Sequence, residues 1–587
     1  MTESIECTLS STAAQTDLCM PRYDVLNNDP AEILISAAMD SLRCQLLNTD
    51  DEAIWSNVPK AIFERIAPAR VNITVRVAGV VRASMSGVGD CLGAHVRGAV
   101  RNCLLDERYG RLVRADAKAL TMELWIQVDS TPIAVEDRCD PLAIDLGHDG
   151  VEIEWNDAFA YYKPSVAFTS DFKSAPDMFS ALCRKAGLFD TAWKLAGCRV
   201  SKTSWNHLSK TGRGISRLRG LRSVASPSTS LHSLKALVAR CTNYLLENQH
   251  ADGSYCYMWN PLSAKQKRHA PNSVRAAGCA YAMAQVAHAG ISDQPSAVFE
   301  STRRSLMPLL AKRQSWRDGE LICEDVGANG VFGKLGTTAL LAATLARPGI
   351  FDDLRDIRDA LFRTIVSSQR IDGSFQCNLG SSRPDGGGIE FYPGEALVAL
   401  GILGEHVDQF AFETMERAFP FYRHHFQTRP TTAFVGWHAD AWSRAFRLSG
   451  DSKYATFVFE QIDWLIAQQV TDSEDPHIQG GFVVAAGKRP NVTSVVYTEA
   501  VLRGMSTAMV AGEIDRFNQY KFAAKEGLQF CLQLILGQEQ AAFVTDPDRC
   551  QGGVTKGFHD FNIRSDHVQH TLTLLLTALE LIGPLNH

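Results

Sequence analysis

Six times between residues 232 and 587 one sequence word recurs. A helix-patterned stretch ends near a glutamine, a glycine-containing turn follows, then a long irregular loop, then an Ala/Leu-rich second helix. The glutamines are Gln249, Gln314, Gln369, Gln427, Gln469 and Gln538, spaced 42 to 69 residues apart. Three units keep a full turn signature around Asp252-Gly253, Asp318-Gly319 and Asp372-Gly373, and two later ones carry Gly480-Gly481 and Gly552-Gly553. Two helices per unit at this period read as an array of α-hairpins. Six hairpins can close a ring, because a second helix that is apolar nearly all round must be buried inside a barrel walled by the first helices.

A ring over 232–587 leaves the first 231 residues for a second unit, so two domains is the economical count. Hydrophobic residues at 45% and charged residues at 21% are the balance of a soluble globular chain with ample core. A net charge of -6 gives no electrostatic reason to bind nucleic acid. The acidic start, Met1-Thr-Glu-Ser-Ile-Glu, lacks a basic region with an apolar core, and no apolar stretch reaches a membrane-spanning length. No membrane association is expected. Fifteen scattered cysteines without a C-x-x-C pair suit a reducing cytoplasm better than a disulfide framework.

Residues 1–28 read as a disordered segment. Helical spacing over Ala31–Leu47 then gives way to period-two alternation over Val71–Ser84 and Thr121–Asp129, predicting an α+β domain over 29–205. A strand near Tyr161–Ala167 and a helix over Met178–Trp193 close it. The order of six short motifs resembles the AMMECR1 family: Arg82-Ala83-Ser84-Met85-Ser86-Gly87 for that family's Arg-Gly-Cys-Ile-Gly-like turn, a helix from Ala99 followed by Asp106-Glu-Arg108-Tyr109, the strand Leu124–Asp129, the corner Gly147-His148-Asp149-Gly150, a strand at Lys163-Pro164-Ser-Val166, and the helix Leu182-Cys183-Arg-Lys185-Ala-Gly187-Leu188. The resemblance implies an AMMECR1-like α+β module with a surface cleft and a potential protein partner, and brings no established reaction with it. Ser84 stands where the family has cysteine, so thiol chemistry does not transfer. As a nucleophile Ser84 needs a base such as His95 or His148; otherwise it is a plain turn serine.

From Arg199 to Ser230 there are seven Lys or Arg, no acid, and frequent Ser and Gly, so residues 206–231 read as an exposed basic linker.

In the ring, a long loop before each second helix gathers six helix N-termini at one mouth, where unpaired N–H groups favour carboxylates or an anionic substrate. Asn272, Ser565, Pro393 and Glu395 fit helix-capping roles there. The catalytic candidates are Asp566 and His570, four apart on one helix face, with Asp440, His438 and Glu499. The substrate-binding candidates are Trp437, Trp442, Tyr497, Tyr392, Glu390, Arg275, Arg564 and His567. Aromatics beside a carboxylate and an imidazole suit a sugar ring or a prenyl cation, the one to stack and the others to move protons.

The ring resembles two toroid groups. The turns at Asp252 and Asp372 are similar to those of terpenoid cyclases and protein prenyltransferases, and the stretch Glu390-Phe-Tyr-Pro-Gly-Glu395 is similar to the six-hairpin glycosidase-like group of epimerases, lyases and hydrolases. No Asp-x-Asp-Asp of a protonating cyclase occurs. The helix at Asn491-Val-Thr-Ser has no Asp-x-Cys to join His570 in a zinc set, and Cys550 lies in the same hairpin as His570. The expectation is therefore an AMMECR1-like α+β domain joined to an all-α (α/α)6 toroid, acting without metal or cofactor as an acid/base enzyme on a carbohydrate-like small molecule. The alternatives are a non-catalytic scaffold protein and an isoprenoid or natural-product enzyme.

Overall fold

The computed structural model describes residues 28–586 except 67, 69, 142, 171, 225, 271, 328–329, 348, 381–384, 406–408, 486–487, 539 and 545. The segment 1–28 expected to be disordered lies outside the described residues apart from Asn28. The chain divides into two compact units between Leu221 and Arg222.

The first unit is an antiparallel sheet with helices. Its strands are β1 (Val71–Val77), β2 (Val80–Gly87), β3 (Leu120–Pro132), β4 (Gly150–Trp155), β5 (Ala158–Tyr162), β6 (Arg199–Thr211) and β7 (Gly214–Arg219). Their order is β2-β1-β3-β6-β4-β5, with β7 beside β6. The alternation expected over Val71–Ser84 is two strands folded back at Ala78 and Gly79, both with positive φ. Helices Asn28–Leu46 and Leu92–Leu104 bury their apolar faces against β1 and β3, and Ala175–Lys185 covers β4 and β5.

Three expectations are corrected in this unit. The segment assigned to a basic linker is instead sheet: β6 pairs with β3 from Met122 to Pro132 and with β7 on its other side. Its signal was masked because Ser201, Thr203, Asn206, His207 and Ser209 are buried there beside Val200, Trp205 and Leu208. Ser84 is not in a turn but in the middle of β2, opposite Thr74 of β1. Lys163–Val166 is not a strand: β5 stops at Tyr162, and a short helix begins at Val166.

The second unit is a closed ring. Its inner helices are Ser273–Ala289, Leu335–Leu345, Tyr392–Gly404, Thr432–Ser449, Ser494–Ala511 and Ser565–Glu580. Each packs against the next in that order and the sixth returns to the first. Each also packs against the outer helix that follows it, Pro295–Leu310, Arg355–Ser367, Gln409–Thr428, Ser452–Ile466 and Ile514–Leu532 in turn, and the sixth packs against the leading outer helix Leu231–Glu247. The second inner helix, Leu-Gly-Thr-Thr-Ala-Leu-Leu-Ala-Ala-Thr-Leu, is buried at every residue, which only an interior position allows. Among the described residues no helix is long and apolar enough to cross a membrane.

The recurring Gln and Gly are the ring's joints. Gln249 Nε2 donates to the Gly253 carbonyl of its own turn (3.0 Å) and to Ser301 of the next outer helix (2.8 Å). Gln369 does the same to Gly373 (3.2 Å) and Thr414 (2.9 Å), and Gln469 to Gly480 (2.9 Å) and Ala523 (2.9 Å). Gly253, Gly373, Gly480 and Gly552 have φ of +80° to +88°, and a Cβ on them would collide with the carbonyl of Arg304, Arg417, Glu526 or Arg240, respectively, in the adjoining outer helix. The last of these contacts joins the sixth hairpin to the first outer helix, closing the circle. Asp252 and Asp372 brace their turns by accepting from the Ser254 and Ser374 amides at 3.0 Å. Gly373→Ala, which imposes left-handed backbone strain of about 1–3 kcal/mol before any clash is counted, is expected to lower the denaturant midpoint of the full chain. An unchanged midpoint would refute the joint.

The fourth hairpin departs from the expected word. Gln427 lies inside its outer helix, and only Arg429–Thr431 separates that helix from the inner one. Pro430 ends the outer helix and Thr431 caps the next by accepting from the Phe434 amide, so no long loop forms there. Gln427 still bonds the neighbouring outer helix, through Glu460 at 3.1 Å. Gln538 is exposed in the sixth loop.

Candidate active site in the ring mouth

A cavity of about 500 Å³ opens at the N-terminal ends of the inner helices, and all six contribute to its wall. The first supplies Arg275, the second Leu340, the third Tyr392 and Glu395, the fourth Trp437, the fifth Tyr497, and the sixth Asp566, His567 and His570. Side chains one turn inside an inner helix, and those just before it, face the ring axis because successive helices enter the barrel from the same rim. The volume falls within the range of about 300–1,000 Å³ usual for small-molecule sites.

Asp566 is the charged anchor. It accepts from Arg564 Nε at 2.9 Å and lies 3.4 Å from Arg275 Nε. Burial opposes its charge, but Arg564 and the neighbouring cations outweigh that and hold the carboxyl below its usual range. Both guanidiniums lie over the Tyr257 ring, at 5.6 and 5.4 Å, which fixes them at the wall. His570 lies 6.0 Å from the Trp437 ring, centroid to centroid, and its Nδ1 meets the Gln569 amide at 3.3 Å. Burial pushes the imidazoles of His567 and His570 down to about 4.

Glu395, given a capping role by its position, caps nothing. It is buried, its Oε2 has no hydrogen-bond partner, and desolvation pushes its carboxyl up to about 8. Gly336 of the neighbouring inner helix leaves room for that oxygen, since a Cβ there would overlap it. Lys556, Asn491 and Thr493 also line the cavity. They were missed because they come from loops or a loop end without helical periodicity.

Five expected site residues lie elsewhere. His438 is one residue beyond Trp437, hence rotated about 100° off the cavity face, and stacks on Phe434 at 3.7 Å within the core. Trp442 is fully buried against Tyr454 and Phe419. Asp440, a turn deeper than Trp437, is 3.2 Å from both Arg444 and Arg503. Glu499 accepts from Thr573 at 2.8 Å between the fifth and sixth inner helices and is pushed up to about 7 by burial. Glu390 bonds His425 (3.2 Å) and Thr431 (2.5 Å), tying the third loop to the fourth hairpin. Asn272 caps the first inner helix as expected, accepting from the Arg275 amide at 3.3 Å. Ser565 opens the sixth inner helix, but the cap position is Arg564. Cys550 is buried with its thiol on the Pro547 carbonyl at 3.2 Å, outside the cavity lining.

These features define a two-unit chain, an α+β module followed by a six-hairpin helical ring with a cavity at its mouth. Residues 89–204 match the AMMECR1 family model. A curated Thermoplasma acidophilum protein is 29% identical over 108 residues, covering 18% of this chain and 52% of its own length. The chain thus spans about half the length of the curated relatives it matches. Among solved structures, the cellobiose 2-epimerase of Bacillus thermoamylovorans is 10% identical with a TM-score of 0.45, covering 60% of this chain and 98% of that one. An alpha-1,6-mannanase of Salegentibacter is 9% identical with a TM-score of 0.42, covering 59% and 98%.

Proposed function

We propose that the ring is an enzyme that transfers protons on a polyhydroxylated, carbohydrate-like small molecule, with His570 as base and Glu395 as acid. The observation that carries this reading is the pair of oppositely displaced titrating groups in one cavity. Desolvation keeps the Glu395 carboxyl protonated and the His570 imidazole neutral over the same pH range, and such divergence is how a site divides acid from base. The Gln569 amide nitrogen, 3.3 Å from Nδ1, fixes the orientation of the imidazole in the cavity wall. Trp437 and Tyr392 offer stacking faces, and Asn272, Asn491 and Thr493 offer hydroxyl partners.

Asp566 is a positioning residue. Two arginines hold its charge, so it is a poor nucleophile or base, and it orients Arg275 and Arg564 toward the cavity. That favours an isomerase-type proton shuttle, in which His570 removes a C–H proton beside a carbonyl and Glu395 protonates the carbonyl oxygen. A hydrolase would need a second free carboxylate.

The test is proton NMR of the full chain in deuterated buffer with free hexoses, uronic acids and disaccharides. Deuterium entering a carbon position of one of them is the expected result. Hydrolysis without carbon-bound deuterium, or no exchange in any of these sugars, would overturn the shuttle. For the responding sugar, kcat is expected to follow a bell, falling below about pH 4 as His570 takes a proton and above about pH 8 as Glu395 loses one. A profile that keeps rising past pH 9 would remove Glu395 from the acid role.

A further inference from the structure

In the first unit a second reactive centre stands on different residues. Lys163, directly after β5, is buried, with its ammonium nitrogen reaching across to β1 and β2. Nζ is 2.8 Å from Asn72 Oδ1, in hydrogen-bond contact with Thr74 Oγ1, and 3.3 Å from Ser84 Oγ. Thr74 in turn donates to Asn72 Oδ1 at 3.2 Å, and its oxygen lies 3.1 Å from Ser84 Oγ. A neutral amine has two N–H donors and one lone pair. Asn72 and Thr74 accept the two hydrogens, which leaves the lone pair for the Ser84 hydroxyl. Ser84 itself is only partly buried and is held by its backbone, its N–H donating to Asp106 at 2.9 Å and its carbonyl accepting from Arg108 at 2.6 Å.

Burial shifts Lys163 toward the neutral amine, and the surrounding charges offset this only in part. Glu123 of β3 is buried and paired with Arg76 of β1 at 2.7 Å and with His207 of β6 at 3.1 Å. Arg76 already balances the Glu123 carboxylate, so a proton on Lys163 leaves the buried cluster with an uncompensated cation. Lys185 of the helix Ala175–Lys185 adds repulsion, and Cys103 of Leu92–Leu104, its own thiol pushed up to about 12 by burial, remains uncharged. Burial lowers Lys163 to about 8 against the pull of Glu123. Neither histidine considered as a base for Ser84 serves it: His148 pairs with Asp145 at 2.8 Å, and His95 sits in the helix Leu92–Leu104.

We propose that Ser84 and Lys163 form a serine–lysine nucleophilic dyad that takes acyl groups from carboxylic esters or thioesters. The Lys163 lone pair accepts the Ser84 hydroxyl proton as Oγ forms a bond to the acyl carbon. The ammonium so formed faces the oxyanion and then protonates the departing alcohol or thiol as the carbon–leaving-group bond breaks. Water, deprotonated by Lys163, next cleaves the acyl-serine, releasing the acid and restoring both side chains.

The test treats the full chain with a fluorophosphonate, which bonds to serine Oγ as fluoride leaves, and with p-nitrophenyl acetate, following p-nitrophenolate release. Expected are one phosphonyl adduct mapped by peptide mass to Ser84, absent in Ser84→Ala, and a labelling rate that falls about 10²-fold or more in Lys163→Met. Removing one partly exposed hydroxyl in Ser84→Ala leaves the packing in place, so folding does not confuse that arm. In the wild-type chain the rate should climb with pH through about 8 as Lys163 loses its proton, a readout that needs no variant. An unlabelled wild-type chain, an adduct on another residue, or a labelling rate unchanged in Lys163→Met would each overturn the dyad.

Discussion

Glu395→Gln is expected to lower turnover of the responding sugar by about 10²–10⁴-fold while leaving the circular dichroism spectrum and the denaturant midpoint near those of the parent. The amide keeps the volume of the carboxyl in the space that Gly336 leaves open, so packing is preserved, yet it has no acidic proton to give. His570→Ala should fall by a similar factor. The two losses should not multiply in the double variant, because an acid and a base that act in one proton shuttle fail together. The substrate dissociation constant, measured calorimetrically on Glu395→Gln, should change far less than the rate. Unchanged turnover in Glu395→Gln would remove the assignment of acid, and a loss matched by a collapsed fold would make Glu395 a structural residue.

The architecture was legible where periodicity carried it. The Gln and Gly positions foretold hairpins, and the structure shows why three of them recur: Gln249, Gln369 and Gln469 each span their own turn and the next outer helix, so there the word marks a joint between hairpins. The mouth was legible from the position of loops relative to inner helices. What the sequence hid was rotation within a helix. Trp437 and His438 are adjacent letters, but one faces the cavity and the other is stacked on Phe434, and only the packing of neighbouring helices decides which. Glu395 was hidden for the opposite reason: a carboxyl in the first turn of a helix usually serves the dipole, and only a missing partner in three dimensions shows that this one does not. β6 was hidden because strand alternation is read from apolar residues, and here half the buried face is hydroxyl, amide and imidazole.

The second large effect concerns stability and separates the buried ion network from the chemistry. Asp440 sits in the ring interior between Arg444 and Arg503, each 3.2 Å away, and Arg503 continues to Glu580 at 3.2 Å while Arg444 continues to Glu405 at 2.7 Å. Burial raises the Asp440 carboxyl, but the two arginines overwhelm it and bring it down to about 2. Asp440→Ala leaves two guanidiniums facing each other without the carboxylate between them. Removing one partner of a buried pair costs about 3–5 kcal/mol, because the remaining charge is stranded in low dielectric. The expected result is a large drop in the denaturant midpoint of the helical unit, followed by far-ultraviolet circular dichroism. Asp440→Asn, which keeps the shape and some hydrogen bonding, should lose less. Below the midpoint, where the chain is folded, both variants should retain kcat, since Asp440 does not line the cavity. A variant that is as stable as the parent but inactive would return Asp440 to the catalytic set and place the reacting atoms a helical turn deeper in the ring than Trp437.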